Sequence, residues 1–93
     1  MRVAIIGCGG IGVRRATAVE NTEGASLVVG VDVVEEAARS FGTRFGCDHG
    51  TDWEAAVSRP DVDLVIVSTA NNAHAPVSIR AMDAGKHVIC EKP

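Results

Sequence analysis

The stretch that decides the fold is Val3-Ala4-Ile5-Ile6-Gly7-Cys8-Gly9-Gly10-Ile11-Gly12. Aliphatic residues typical of a buried strand lead into a G-x-G-x-x-G motif at Gly7, Gly9 and Gly12, and a helical pattern follows. Between a strand and a helix, this motif predicts a dinucleotide site. Gly7 allows the tight turn, Gly9 lets a pyrophosphate approach the backbone, and Gly12 lets the helix pack close to the strand. A glycine-rich turn without a ligand is the alternative.

The first turn of the helix after the glycines is a candidate anion site. N–H groups at a helix N-terminus have no partner inside the helix, and the helix dipole adds a partial positive charge there. The loop residues expected to contact a cofactor are Gly7, Cys8, Gly9, Gly10, Ile11 and Gly12. Cys8 also lies where a helix N-terminus can lower the pKa of a thiol, although no partner base is near it in sequence.

Composition limits the class of protein. The chain has 93 residues, which indicates a single small domain over residues 1–93. Hydrophobic residues make up 46%, but there are only two Phe, one Trp and no Tyr, so Val, Ile, Leu and Ala must build the core. Such a core suits a parallel sheet that is buried on both faces.

Charge and hydropathy argue against nucleic-acid and membrane partners. The net charge is −3, and acidic and basic residues are dispersed. Because there is no basic block and few aromatic residues could stack on bases, nucleic-acid binding is disfavoured. No apolar run reaches about 18 residues, so a transmembrane helix is not expected. The chain enters its first strand at once, which leaves no room for a signal peptide.

The cysteines and histidines indicate a reducing compartment and no metal. Cys8, Cys47 and Cys90 are odd in number and lack the spacing of metal ligands, which favours reduced thiols in a cytoplasmic protein. The three histidines share no metal-ligand spacing either, so no metal site is predicted.

Strand and helix patterns alternate along the chain. Strands are predicted at 2–6, 25–31, 63–69 and 86–90, with a short third strand around 47–49. Helices are predicted at about 10–21, at 34–45, from 51 to about 58, and from Pro76 to about Ala84, after a loop over 71–75. Pro76 suits the first turn of its helix. Thr51 and Glu54 have the spacing of a capping box, with Thr51 as the N-cap.

Apolar residues at helical spacing predict the faces that pack on the sheet. In the first helix these residues are Gly12, Ala16 and Val19. In the second they are Val34, Ala37, Ala38, Phe41 and Phe45. In the last they are Val77, Ala81, Met82 and Ala84.

Alternating strands and helices predict an α/β fold with a doubly wound parallel sheet. Right-handed crossovers favour five strands in the order 3-2-1-4-5, in which the chain changes direction between strands one and four. Ligands of such sheets bind at this switch point, beyond the carboxyl ends of the strands. The glycine loop and Ser68-Thr69 lie on either side of it, so Ser68 and Thr69 are also candidate cofactor contacts.

Asp32 ends the second strand, 20 residues after Gly12. A carboxylate at this place can accept hydrogen bonds from the adenosine ribose hydroxyls and would repel a 2′-phosphate. Val33 and Val34 follow, and no Arg or Lys stands where a phosphate would need one. The sequence therefore predicts NAD rather than NADP. The alternative is that Asp32 only caps the following helix.

The second half of the chain resembles a known family. The run Asp61-Val62-Asp63-Leu64-Val65-Ile66-Val67-Ser68-Thr69 continues through Asn71-Asn72-Ala73-His74 to Gly85-Lys86-His87-Val88 and Glu91-Lys92-Pro93. Joined to the glycine motif, this pattern resembles the N-terminal domain of the glucose–fructose oxidoreductase, inositol dehydrogenase and rhizopine catabolism (Gfo/Idh/MocA) family. The resemblance covers the whole chain. It implies a Rossmann-like fold and an NAD(P)-dependent oxidoreductase acting on sugars, polyols or related compounds.

The resemblance also implies roles for particular residues. In the family the Glu-Lys-Pro segment lies beside the nicotinamide, so Lys92 is the candidate catalytic residue and also a cofactor contact, and Glu91 is a neighbour of the nicotinamide ribose. The segment from Thr69 to His74 matches a loop that contacts the cofactor, which adds Asn71 and His74 to the candidates. Ala70 departs from the pattern, because the family often has Pro at that place.

The resemblance further implies that the chain stops before a second domain that would hold the substrate pocket and the proton-transfer residues. We therefore expect an NAD(P)-binding domain that is not catalytically competent alone. A stand-alone nucleotide-binding or sensor module is the alternative, and an S-adenosylmethionine site is a weaker one. An open fifth strand would favour a homodimer through that edge, or else marginal stability. The substrate itself is not visible in the sequence.

Overall fold

The computed structural model describes residues 1–69 and 71–91, without the side chains of residues 71–74. It contains one parallel sheet of five strands in the order β3-β2-β1-β4-β5, which confirms the predicted topology. The strands are β1 (Arg2–Ile6), β2 (Ser26–Val31), β3 (Asp48–Gly50), β4 (Leu64–Val67) and β5 (His87–Cys90). The helices are α1 (Gly10–Glu20), α2 (Glu35–Phe45), α3 (Trp53–Val57) and α4 (Asn71–Asp83).

The helices cover both faces of the sheet, as an all-parallel sheet requires. Side chains alternate along β1, so that Val3 and Ile5 face one side while Ala4 and Ile6 face the other. The first pair packs with residues of α1 and α2, and the second pair packs with residues of α3 and α4. All four side chains are buried, so β1 is the centre of the hydrophobic core.

The predicted apolar faces are confirmed in part. Gly12, Ala16 and Val19 are the buried residues of α1, as expected. In the second and last helices, however, Val34 and Met82 are 56% and 59% exposed. Val34 is exposed because it is the N-cap of α2, with extended backbone, rather than a residue of the helix.

The N-cap of α3 differs from the prediction. The helix begins at Trp53, and Asp52 is its N-cap, with a carboxylate oxygen that accepts from the Ala55 backbone N–H at 3.2 Å. The capping box expected for Thr51 was therefore placed one residue too early. An Asp accepts this bond as well as a Thr does, so sequence spacing alone did not separate the two residues.

The start of α4 also differs from the prediction. The helix begins at Asn71 rather than at Pro76, so residues 71–75, expected as a loop, are helical. Pro76 consequently lies inside the helix. A proline there has no N–H to donate to the carbonyl four residues earlier, so the helix lacks that hydrogen bond. Proline near a helix start was therefore a poor guide to its first residue.

The strand register aligns the carboxyl ends of four strands. Ile6 pairs with Val31 and with Val67, and Val67 pairs with Cys90. The next residue of each strand consequently lies in one row along the edge of the sheet. In spatial order this row is Asp32, Gly7, Ser68 and Glu91.

Backbone hydrogen bonds continue past the strands and hold this row. The N–H groups of Gly7, Ser68 and Glu91 donate to the last carbonyl of the neighbouring strand at 2.7, 2.7 and 2.9 Å. The Asp32 backbone N–H likewise donates to the Gly50 carbonyl at 3.2 Å. Among residues 1–69 and 71–91, no helix is long and apolar enough to cross a membrane.

Candidate functional site

A cavity of about 520 Å³ lies at the carboxyl edge of the sheet, at the switch point between β1 and β4. Residues from four strand ends and from the two helices of one face line it. They are Ile6, Gly7, Gly9, Val31, Asp32, Val33, Thr51, Trp53, Ser68, Thr69 and Val77. The predicted loop, Asp32 and the Ser68-Thr69 pair are therefore brought together around one space.

Gly7 and Gly12 are positions where the backbone admits no side chain. Gly7 has a φ of +104°, and a Cβ there would lie 2.8 Å from the Ser68 carbonyl atoms. A Cβ on Gly12 would lie 1.9 Å from the Gly7 carbonyl oxygen. The first glycine therefore makes the tight turn and the third allows α1 to approach β1, as the motif predicts.

Gly9 borders open space. A Cβ on Gly9 or Gly10 would meet no atom within 4 Å in the described part of the chain. Gly9 is also the N-cap of α1, a helix without an acidic residue in its first turn and without a side-chain cap among the described residues. The first N–H groups of α1 therefore remain available to an anion, which the helix dipole would favour.

Asp32 is joined to the glycine loop. One carboxylate oxygen accepts from the Cys8 backbone N–H at 2.8 Å, and the other accepts from the Val34 N–H at 2.9 Å. An ionised carboxylate has about four lone-pair positions, so it can accept further bonds from a ligand. Because α2 begins at Glu35 with Val34 as its N-cap, Asp32 is not itself the N-cap of that helix.

The thiol of Cys8 is not activated by its place in the loop. The side chain is buried, and its Sγ donates to the Val31 carbonyl at 3.4 Å. Burial, followed by the nearby Asp32 carboxylate, raises the pKa of Cys8 to about 12. The expectation of a lowered pKa for the Cys8 thiol is therefore wrong, because burial and the Asp32 carboxylate both disfavour the thiolate. Cys8 contributes its backbone to the site.

Ser68 and Thr69 close the cavity on the side of β4. The Ser68 Oγ is buried and has no hydrogen-bond partner in the described part of the chain. A buried hydroxyl without a partner is uncommon in a folded protein, because its desolvation is not compensated. A polar ligand in the adjoining cavity would supply the missing partner.

Glu91 ends the row at the side of β5. Its side chain is only 12% exposed and forms an ion pair with Arg15 of α1, with a second contact from Arg15 Nη2 to Oε2 at 3.1 Å. Because its backbone N–H donates to the Val67 carbonyl, Glu91 is fixed in both main chain and side chain. This pairing joins segments that are far apart in sequence, and it was not predicted.

Sequence reasoning missed Thr51, Trp53 and Val33 as lining residues. Thr51 was interpreted only as a helix cap, whereas both Thr51 and Trp53 line the cavity. A usable signal existed, because Thr51 directly follows β3, and residues after parallel strands share one edge of the sheet. Val33 is 86% exposed beside Asp32, which is consistent with a surface that a flat ligand could cover.

Three predicted site residues cannot be placed. Lys92 lies outside the described residues, and so does Ala70. Asn71 and His74 belong to the first turns of α4, but their side chains lie outside the described part.

Within the described residues, no group of three or more His, Cys, Asp or Glu side chains could hold a metal ion.

The described residues fit a dinucleotide. The pyrophosphate would occupy the open space beside Gly9 at the start of α1, and the buried Ser68 hydroxyl offers a polar contact. From β2 to β5 the row crosses three strand spacings, which is about 14 Å. That length lets one half of an extended dinucleotide lie toward Asp32 and the other toward Glu91.

Comparisons with known proteins agree with this geometry. A family model described as "Oxidoreductase family, NAD-binding Rossmann fold" matches residues 1–93. The chain is 37% identical to 4-carboxy-2-hydroxymuconate-6-semialdehyde dehydrogenase of Sphingobium sp., over 100% of this chain and 30% of the relative. It is also 37% identical to inositol 2-dehydrogenase 4 of Saccharopolyspora erythraea, over 100% of this chain and 28% of the relative.

Solved structures with the same fold contain either nicotinamide cofactor. Biliverdin reductase from Synechocystis sp., in complex with biliverdin and NADP+, superposes with a TM-score of 0.93 at 34% identity, over 99% of this chain and 29% of that one. GenD2 from gentamicin A biosynthesis, in complex with NAD, superposes with a TM-score of 0.95 at 30% identity, over 100% of this chain and 27% of that one. The chain therefore spans less than a third of the length of these proteins.

Proposed function

The chain belongs to the Gfo/Idh/MocA oxidoreductase family, whose NAD-binding Rossmann domain it matches from end to end, and we propose that it binds NAD(H) in the cavity at the carboxyl edge of its sheet. The observation that carries this proposal is the row formed by Asp32, Gly7, Ser68 and Glu91, with the open Gly9 loop beside it. The oxidoreductase family does not favour the alternatives of a sensor module or an S-adenosylmethionine site.

Each part of the row has a separate task in binding. The N–H groups at Gly9, Gly10 and Ile11 face the pyrophosphate, because no side chain intervenes at the first two positions. Asp32 accepts from the adenosine ribose hydroxyls, while its bonds to Cys8 and Val34 keep its carboxylate in place. Ser68 and Thr69 contact the central part of the cofactor, and the family resemblance adds Asn71 and His74 as further candidate contacts.

The surroundings of Asp32 support NAD over NADP. Among the described residues that line the cavity, none is Lys, Arg or His, so no cation is present to pair with a 2′-phosphate. Val33 and Val34, which follow Asp32, are both exposed and apolar. A 2′-phosphate would therefore meet a carboxylate without compensation, and like charges at this range repel.

Titration of NADH and NADPH tests the proposal. Trp53 is the chain's single tryptophan, there is no tyrosine, and Trp53 lines the cavity, so its fluorescence should report on binding. We expect NADH to bind at least about tenfold more tightly than NADPH, which is about 1.4 kcal/mol. Asp32→Asn removes the charge and should narrow this ratio by weakening NADH and strengthening NADPH.

The matched control is Asp83→Asn, which changes the net charge equally at an exposed position at the end of α4. It should leave both affinities unchanged. The ratio of the two affinities is informative even if Asp32→Asn loosens the loop, because such damage weakens both cofactors. Tighter binding of NADPH than of NADH by the wild-type chain contradicts the preference, and binding of neither contradicts the function.

The reaction of the whole protein is a proposal that rests on the family. A bound nicotinamide would supply hydride transfer, and the substrate would be a sugar, a polyol or a related compound. Lys92 is the proposed catalytic residue, since it directly follows Glu91, whose backbone is fixed at the edge of the sheet. An ammonium at this place can polarise a substrate oxygen or transfer its proton.

Two measurements test this assignment. Lys92→Ala should weaken NADH more than ADP-ribose, which lacks the nicotinamide, whereas Lys86→Ala, at the amino end of β5, should affect both equally. We expect no turnover of a polyol by the 93-residue chain alone, because it spans less than a third of the length of the dehydrogenases it matches. Steady-state oxidation of a polyol by this chain would contradict that expectation.

Association through β5 is a further expectation. β5 pairs with β4 on one side, and its Ile89 side chain is 47% exposed. Unpaired strand edges and exposed apolar residues promote association. Sedimentation should show a dimer that Ile89→Lys converts to a monomer, whereas a monomeric wild-type chain would contradict this.

The three free cysteines support our expectation of a cytoplasmic location.

A further inference from the structure

The ion pair between Arg15 and Glu91 joins two segments that are 76 residues apart in sequence. Arg15 lies on α1, three residues after Gly12, and Glu91 follows β5. The guanidinium contacts both carboxylate oxygens through its Nε and Nη2 atoms. Such two-point contacts fix the orientation of a carboxylate as well as its position.

The position of the Arg15–Glu91 pair relates it to the proposed cofactor site. Glu91 occupies the end of the row opposite Asp32, with the glycine loop between them. If Asp32 marks the adenosine half of a dinucleotide, the half that lies toward Glu91 is the nicotinamide half. A carboxylate here can accept from ribose hydroxyls, provided that its two oxygens are held in a fixed orientation.

We infer that Arg15 is a positioning residue for the nicotinamide half of the cofactor, because it fixes the orientation of the Glu91 carboxylate. Arg15 uses one acceptor position on each oxygen, which leaves others free for ribose hydroxyls. This inference rests on the proposed function. It assigns to Arg15 an action through Glu91, not a contact with phosphate.

The test compares NADH with ADP, which carries the adenosine half and both phosphates but lacks the nicotinamide riboside. Arg15→Ala should weaken NADH about tenfold, equal to about 1.4 kcal/mol, and leave ADP within about twofold. Arg15→Lys should fall between these values, because an ammonium cannot make the two parallel contacts. Arg14→Ala is the control, since Arg14 is equally charged, exposed and on the same helix.

A double-mutant cycle separates positioning from direct contact. In a Glu91→Ala background, Arg15→Ala should produce no further loss of NADH affinity, because the carboxylate that it orients is gone. An additive loss would overturn the inference, since Arg15 would then act on the cofactor itself. An equal loss of NADH and ADP affinity, or no loss of either, would also overturn it.

A measurement without cofactor checks that the pair exists in solution. The Arg15 Nε–H should give a protected signal in NMR spectra, and Glu91→Ala should abolish that protection while Arg14 signals stay unchanged. An unprotected Arg15 Nε–H in the wild-type chain would overturn the inference. Failure of the wild-type chain to bind NADH and ADP would instead overturn the proposed function, and the two failures are thereby distinguishable.

Discussion

The Asp32 carboxylate accepts a hydrogen bond from the Cys8 backbone N–H at 2.8 Å, so the end of β2 holds the glycine loop that follows β1. The second carboxylate oxygen accepts from Val34, which fixes the side chain from the other direction. A residue expected to contact a ribose therefore also supports the backbone that would contact the pyrophosphate. Substitutions at Asp32 should accordingly affect both the ribose contact and the pyrophosphate contact. The preference between NADH and NADPH is therefore best measured as the ratio of the two affinities.

The glycines of the loop should respond differently to alanine. In Gly12→Ala the new Cβ would lie 1.9 Å from the Gly7 carbonyl oxygen, so α1 must move away from β1. We expect a destabilisation of at least about 2 kcal/mol, which lowers the melting temperature by about 10 °C in a domain of this size. Thermal unfolding followed by circular dichroism measures this loss.

Gly9→Ala is the matched comparison within the same loop. Its Cβ would meet no described atom within 4 Å, so the melting temperature should change little. The methyl group instead enters the space assigned to the pyrophosphate, and NADH binding should fall more than tenfold, about 1.4 kcal/mol. A stable Gly12→Ala variant, or a Gly9→Ala variant with wild-type affinity, would contradict the roles assigned to these glycines.

The N-cap of α3 can be verified by substitution. Asp52→Ala removes the acceptor of the Ala55 N–H and should cost about 1 kcal/mol of stability. Thr51→Ala should cost much less, because Thr51 does not cap the helix. Urea unfolding of the two variants measures their free energies of unfolding. A larger loss of stability for Thr51→Ala would support Thr51 as the N-cap instead.

The cysteines should differ in reactivity. Burial raises the pKa of Cys8 to about 12, and burial also raises the pKa of the half-buried Cys47 thiol, so both stay protonated at neutral pH. Cys90 is exposed. Because the thiolate is the reactive form, brief alkylation followed by peptide mass mapping should label Cys90 first. Labelling of Cys8 in the native chain as fast as Cys90 would contradict the burial of the Cys8 thiol.

The pair formed by Arg2 and Asp63 should make stability depend on acid pH. Arg2 donates to the Asp63 carboxylate from its backbone N–H, Nε and Nη2 at 2.8, 3.1 and 3.1 Å, which lowers the pKa of Asp63 to about 2. An unfolded Asp titrates near 3.9. The stabilisation is therefore present above about pH 4 and is lost as the pH falls toward 2.

Asp63→Asn should consequently lower the melting temperature at pH 7, and its difference from the wild type should shrink toward pH 2. Asp83→Asn serves as the control, since no ion pair involves Asp83 in the described part of the chain. A constant difference between wild type and Asp63→Asn across this range would mean that the charge on Asp63 does not contribute.

Local sequence determined the architecture. The aliphatic run at 3–6, the three glycines and the small residues at 12, 16 and 19 predicted β1, its turn and the packing of α1, because each depends on neighbours a few residues away. The sheet order followed from the alternation of elements and the handedness of crossovers. Where competing local signals were close in strength, as at Thr51 and Asp52 or before Pro76, the predicted boundaries were wrong.

The composition of the site was decided by tertiary structure. The sequence identified the glycine loop and Asp32, but not that Asp32 binds the Cys8 N–H, that Trp53 lines the cavity, or that Arg15 pairs with Glu91. Each of these contacts joins segments that are distant in the chain and meet only after the strands align. The glycine motif thus predicted the site proposed for a dinucleotide, and the register of the sheet decided which side chains surround that site.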